Sequence, residues 1–165
     1  MNAIKVAILM GSVNDKEIML HTSKVLTDLA IPHEMSIRSA HRTPKETAAY
    51  IQDALIRGAE VFVAAAGLAA HLAGFVAAHT VKPVIGVPLD ASSLNGLDSL
   101  LSTVQMPAGV PVATVAIGSA GAKNAGFLAA QILSLQNNAL VEKLIAVREA
   151  DRAKIESQNA TDFPH

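Results

Sequence analysis

From Val61 to Val141 the chain carries only four charged side chains, Lys82, Asp90, Asp98 and Lys123, whereas residues 1–60 hold 14 and residues 142–165 hold nine. Soluble domains carry charge on roughly a quarter of their residues; here the figure is 16%, against 51% hydrophobic. A middle this poor in charge has three physical explanations: a membrane span, a sheet covered on both faces, or a surface buried against other subunits. The longest uncharged run, Val61–Val81, has the length of a span, but it contains Gly67, His71, Gly74 and His79 and is rich in weakly hydrophobic alanine. It also divides. Val61-Phe62-Val63-Ala64-Ala65-Ala66 opens β-branched and aromatic and stops at Gly67, while Leu68–His79 is alanine-rich and compatible with helix. A buried strand followed by a helix accounts for the run better than a span does.

Other classes drop out on composition. With 13 Lys+Arg, 14 Asp+Glu and 3% aromatic residues, there is neither a basic groove nor a stacking platform, so nucleic acid is not an expected partner. Cysteine is absent, which removes disulfides, thiolate catalysis and Cys-ligated metal centres. Met1-Asn2-Ala3-Ile4-Lys5 has neither the basic n-region nor the apolar h-region of a signal peptide, so a cytoplasmic protein is expected. A length of 165 residues suits one domain with its own core. That domain is expected over 1–156, with a loose tail at 157–165.

Strand and helix signals alternate along the chain. Ile4–Met10 is a short apolar run ended by Gly11-Ser12, the pattern of a buried strand. Asn14, with Glu17 three residues on, has capping-box spacing, and Ile18, Val25, Leu26 and Leu29 recur at helical intervals up to Ile31-Pro32. A second strand is expected over Glu34–Arg38. Thr43-Pro44-x-Glu46 starts a helix that ends near Gly58. The pattern then predicts a strand over Glu60–Ala66, a helix over Ala69–His79, a strand over Pro83–Pro88 and a helix over Leu97–Thr103. A fifth strand over Val112–Ile117, a helix over Ala122–Leu135 and a final helix over Ala139–Glu156 complete the series. Five strands alternating with helices predict an α/β fold: a three-layer, doubly wound parallel five-stranded sheet. A flavodoxin-like 2-1-3-4-5 order is expected, with a C-terminal helix following.

Sheets of this kind bind ligands at the strand carboxyl ends. The loops after the first three strands are Gly11–Asp15, Ser39–Pro44 and Gly67–His71. Each leads into a helix N-terminus, where free N–H groups and the dipole favour an anion. Ser12 and Ser39 add hydroxyls, Arg42 a guanidinium fork suited to phosphate, and Asp15 an acceptor for sugar hydroxyls. Together they describe a site for a phosphorylated sugar, with His41 as a proton-transfer residue near neutral pH. Plainer readings stand beside these. Ser12, Asn14 and Asp15 serve equally as helix caps, Arg42 as a surface ion-pair partner, and His41 or His71 as a structural histidine. His21, His33 and His79 show no shared metal spacing. The chain lacks G-x-G-x-x-G, a Walker A loop and the G-x-S-x-G elbow.

At the same loops the sequence resembles the bacterial class I PurE family, the N5-carboxyaminoimidazole ribonucleotide mutases of purine synthesis. The strings that carry the likeness are Met10-Gly11-Ser12-x-x-Asp15, Ser39-Ala40-His41-Arg42-Thr43-Pro44, Ala69-Ala70-His71-Leu72 and Gln105-Met106-Pro107, followed by Gly109-Val110-Pro111-Val112. Pro83–Pro88, Leu97-Asp98-Ser99-Leu100 and Ala116-Ile117-Gly118 also match. The departures are Asn14, where the family commonly has serine, Ala73 for proline, Ala108 for arginine, and less glycine around Ala65 and Leu68. Leu68 adds bulk near the expected pocket.

The resemblance implies movement of a carboxyl group from N5 to C4 of an aminoimidazole ribonucleotide by decarboxylation and recarboxylation. It makes His41 the general acid/base and places Ser12, Asp15 and Arg42 on the substrate, with Ser39, Gly67 and His71 lining the same site. It implies no metal and no organic cofactor, a small-molecule ribonucleotide substrate, and a homo-octamer with shared sites. A carboxylase acting directly on the aminoimidazole and a non-catalytic nucleotide-binding or scaffold protein are the rival expectations. The charge-poor middle agrees with a homo-oligomer, because helices of Ala, Gly, Leu and Val leave little polar face for water.

Overall fold

The computed structural model describes residues 3–163. In chain order it contains β1 (Val6–Met10), a 3-10 turn (Val13–Asp15), α1 (Lys16–Asp28), β2 (His33–Ile37), α2 (Pro44–Ile56), β3 (Val61–Ala66), α3 (Leu72–Ala77), β4 (Val84–Pro88), α4 (Leu97–Val104), β5 (Ala113–Thr114), α5 (Gly118–Ser134) and α6 (Asn138–Asp162). The strands form one sheet in the order β2-β1-β3-β4-β5, with every pairing parallel. The expected fold class and strand order are therefore those observed. Val61–Val81 is divided between β3 and α3, and among the described residues no helix is long and apolar enough to cross a membrane.

Side-chain alternation builds two cores on one sheet. Val6, Ile8 and Met10 of β1, Val61 and Val63 of β3 and Ile85 and Val87 of β4 face α1 and α5. Ala7, Leu9, Phe62 and Ala64 face α2 and α3. Strands covered on both faces have no position for a charge, which explains their continuous apolar runs. Small residues bring the helices close. Gly126 of α5 lies against α1, where a β-carbon would sit 2.8 Å from Val25 Cβ. Beside it the buried Thr22 hydroxyl donates to Ala122 O at 2.6 Å.

Several local expectations change. The capping box is Ser12 with Asp15, not Asn14 with Glu17: Ser12 Oγ accepts from Asn14 N, and Asp15 Oδ2 accepts from Ser12 N at 2.9 Å. The 3-10 turn brings the helical path in two residues early, and buries Asp15. β5 is two residues long rather than Val112–Ile117. Val115 N donates to Gly86 O, so the next ladder bond would need an N–H at Pro88, which has none. α3 begins at Leu72 rather than Ala69 because the connection passes through Leu68 at φ 55°. α5 starts early, at Gly118 with φ 73°. α6 continues through Ser157–Asp162, part of the segment expected to be loose; Pro164 and His165 lie outside the described residues. β2 and the remaining helices fall within a few residues of their expected spans.

Candidate active site

The order 2-1-3 puts the loops after β2, β1 and β3 side by side at the carboxyl edge, where the direction of winding reverses. A cleft of about 440 Å³ opens there, lined by Gly11, Ser12, Asn14, Asp15, Ser39, Ala40, His41, Arg42, Ala66, Gly67, Leu68, Ala69, His71, Leu72 and Ala91. All seven residues singled out from the sequence, Ser12, Asp15, Ser39, His41, Arg42, Gly67 and His71, are on that lining. The volume is within the range of small-ligand pockets. Larger depressions of about 950 and 710 Å³ lie along Ala77–Val84 with Gly109–Ala113 and along the outer face of α1, and neither includes a residue of this group.

Both serines are positioned by accepting a backbone N–H of their own loop. Ser12 Oγ accepts from Asn14 N at 3.2 Å, and Ser39 Oγ accepts from Arg42 N at 3.1 Å. Each hydroxyl proton is thereby left to donate elsewhere. Capping and ligand binding are not alternatives here, since the cap uses a lone pair and a ligand would use the proton. Arg42 is exposed, and its guanidinium has no hydrogen-bond or ion-pair partner among the described residues. Asp15 is 8% exposed and receives backbone N–H bonds but, among the described residues, no cation. Burial raises its carboxyl above the ordinary 3.8, and the hydrogen bonds from Ser12 and Gly11 only partly offset this.

His41 Nε2 and His71 Nδ1 are 2.7 Å apart, with the rings edge to face. A nitrogen–nitrogen hydrogen bond needs one donor and one acceptor, so the pair in this geometry holds at least one neutral ring. The contact joins the loops after β2 and β3 and gives His41 a proton partner inside the cleft. Among the described residues no three His, Asp or Glu side chains are grouped to hold a metal ion.

Sequence reasoning missed what holds the His41 loop. Thr47, fully buried on α2, donates to Ser39 O at 3.3 Å and to Thr43 O at 2.8 Å. Thr43 Oγ1 accepts from Ser39 N at 3.2 Å. One helical turn further, the Tyr50 hydroxyl donates to Glu34 Oε1 at 2.7 Å, and Arg57 holds the same carboxylate with two nitrogens, one at 2.7 Å. Arg57 also reaches Asp53. The Arg38 guanidinium lies 4.5 Å over the Tyr50 ring, immediately before the loop. The Arg57 hydrogen bond pulls Glu34 below the usual carboxylate range, while burial first and the Glu34 bond second push Tyr50 well above the usual phenol range. Thr47 and Tyr50, three residues apart, are buried on the inward face of α2, and that stripe was the available signal.

A doubly wound parallel domain with hydroxyls, a guanidinium unpaired among the described residues and two imidazoles at its switch point has the form of a small-ligand enzyme, with groups able to hold an anion and to move a proton. Comparison with known proteins narrows the class. Residues 5–154 match the AIR carboxylase family. The chain is 55% identical over 144 residues to the N5-carboxyaminoimidazole ribonucleotide mutase of Bacillus subtilis, covering 87% of this chain and 89% of that one. It is 54% identical over 145 residues to the enzyme of the same name from Pyrococcus abyssi, covering 88% and 82%. The crystal structure of Treponema denticola PurE superposes with a TM-score of 0.86 at 27% identity, over 97% of this chain and 98% of that one. The chain belongs to the AIR carboxylase, or PurE, family.

Proposed function

We propose that this chain is an N5-carboxyaminoimidazole ribonucleotide mutase of purine biosynthesis, and that His41 carries its proton transfers. The observation that supports this best is the cleft itself. One histidine, hydrogen-bonded to a second, sits among groups that bind anions and hydroxyls, in a chain about half identical to proteins bearing that name. Arg42 takes the substrate phosphate with the Ser12 and Ser39 hydroxyls, and Asp15 accepts from the ribose.

In the first step the N5–carboxyl bond breaks. Its electron pair returns to nitrogen, N5 takes a proton from His41, and CO2 is released inside the cleft. In the second step C4 attacks CO2, and His41, now neutral, removes the C4 proton. Atoms and charge balance without a co-reactant or cofactor, as an isomerisation requires. One imidazole serves as acid and then base because the proton it gives to N5 in the first step is replaced by the one it takes from C4 in the second.

The family's name favours a second reading, direct carboxylation of the aminoimidazole ribonucleotide by CO2. Purified protein supplied with each substrate in bicarbonate-free buffer separates the two: a mutase converts only the carboxyamino compound. Failure to convert it would overturn the proposal, as would full turnover by His41→Asn. The reading includes a cytoplasmic enzyme working as a homo-oligomer, an octamer by family resemblance. Exposed Leu97, Leu101 and Val104 on successive turns of α4, with Leu94 just before it, support the assembly. A monomer by light scattering at micromolar concentration would remove that part.

A further inference from the structure

We infer that Leu68 is a specificity-determining residue that closes the cleft over released CO2 and so favours recarboxylation over loss. The inference rests on the mutase reading. Where β3 leaves the sheet, a β-carbon on Gly67 would lie 2.6 Å from Ala91 Cβ and 3.6 Å from Leu89 O. The chain is pressed against the 89–91 segment there, and it turns at the next residue. Leu68 makes that turn at φ 55°, in the left-handed region, where a side chain crowds the following carbonyl and glycine is the unstrained choice. Nor does core packing explain the leucine. It is 56% exposed, while its neighbours Ala70 and Leu72 are at 1% and 2%. A branched hydrocarbon that is both strained and left in water is unfavourable on two counts, and strain of this kind concentrates where a ligand or reaction uses it.

The position says what would use it. Leu68 lines the cleft in the same short connection that presents His71 to His41. Uncharged CO2 has no charge for Arg42 or the serines to hold, so only a barrier of apolar atoms keeps it beside C4. If it escapes, the carbamate has taken one proton and ended as amine plus CO2, and His41 regains its proton from solvent instead of from C4. An isobutyl group on the cleft wall adds apolar surface that opposes that exit.

The test uses the full chain as wild type, Leu68→Gly and Leu68→Met. The carboxyamino substrate is converted in buffer containing 13C-bicarbonate and carbonic anhydrase, and mass spectrometry reads label in the C4-carboxylate and the share of decarboxylated ribonucleotide. In L68G both are expected to rise about tenfold, the lower end of what one hydrocarbon group is worth in an apolar pocket. Its thermal midpoint is expected to hold or rise, since glycine relieves the turn, and L68M is expected to keep wild-type coupling. Wild-type label content and partition in L68G would overturn the role, and so would a change in its assembly size, which would assign Leu68 to a contact between copies. A wild type that converts nothing would instead overturn the mutase reading and the inference with it.

Discussion

Glu34 and Asp15 belong to neighbouring strand–helix units of one sheet, yet Glu34 is met by Arg57 and the Tyr50 hydroxyl, while Asp15, the more buried of the two, has only backbone N–H groups among the described residues. Their carboxyl groups shift in opposite directions, Glu34 downwards through its bond to Arg57 and Asp15 upwards through burial. The difference separates scaffold from site. Charges that fasten α2 to β2 are satisfied within the chain and stabilise it. A charge facing the cleft is left short of partners, which opposes folding slightly and keeps the group available to a ligand.

The comparison breaks most visibly at His41. His41→Asn is expected to lower kcat by about 10²–10⁴-fold, with circular dichroism and thermal midpoint nearly unchanged, because the loop's backbone is held by Thr47 and Thr43 and the imidazole adds only its exposed contact with His71. A large loss of stability would place His41 on the scaffold side. Next is Arg57→Met, which strands Glu34. Arg57 is only 11% exposed at its side chain, and urea unfolding is expected to show a loss of about 2 kcal/mol. Asp15→Asn is expected to do the reverse of Arg57→Met: KM rises about tenfold as an acceptor for substrate hydroxyls is weakened, while stability holds or increases by up to about 1 kcal/mol.

Stability against pH sharpens the same contrast. Glu34 is lowered in the folded state from 4.5, so its contribution is complete above that value and is lost as pH falls through the lowered one. Asp15 is raised from 3.8, so the folded state holds its proton more tightly and stability declines as pH rises through the interval above 3.8. Denaturant titrations from pH 3 to 7 should therefore show a shallower acid loss in Glu34→Gln and no such decline in Asp15→Asn. The smallest effect expected is for Thr47→Val, about 1 kcal/mol with a modest fall in kcat, since Ser39 O keeps its bonds from Thr43.

Much of the fold was legible because both its periods are local. Apolar runs ending at glycine, and helix starts such as Thr43-Pro44, depend on neighbouring residues alone. What was misread depended on something distant or on a competing cap. β5 stops because of Pro88 on another strand, and the α1 cap moved because Ser12 with Asp15 makes the same box as Asn14 with Glu17 but buries its acid. α3 lost its first residues to the turn at Leu68, which follows the close approach of Gly67 to Ala91. Among the site residues, the three loops named every polar side chain that lines the cleft but not Ala91, which follows β4; nor did they name Thr47, Tyr50, Glu34 or Arg57, whose polar atoms support the site from elements that read as ordinary helix and strand.

The sequence by itself determined the alternation of strands and helices, the poverty of charge where strands are doubly covered, and the residue types available at the strand ends. Tertiary structure alone decided which of those ends meet. His41 and His71 are brought within 2.7 Å because β2 and β3 flank β1, and strand order is set by non-local packing that no local period encodes. It decided as well that Asp15 is buried with no cation beside it among the described residues and that Leu68 stands exposed at positive φ, since desolvation and backbone strain are properties of surroundings and not of residue type.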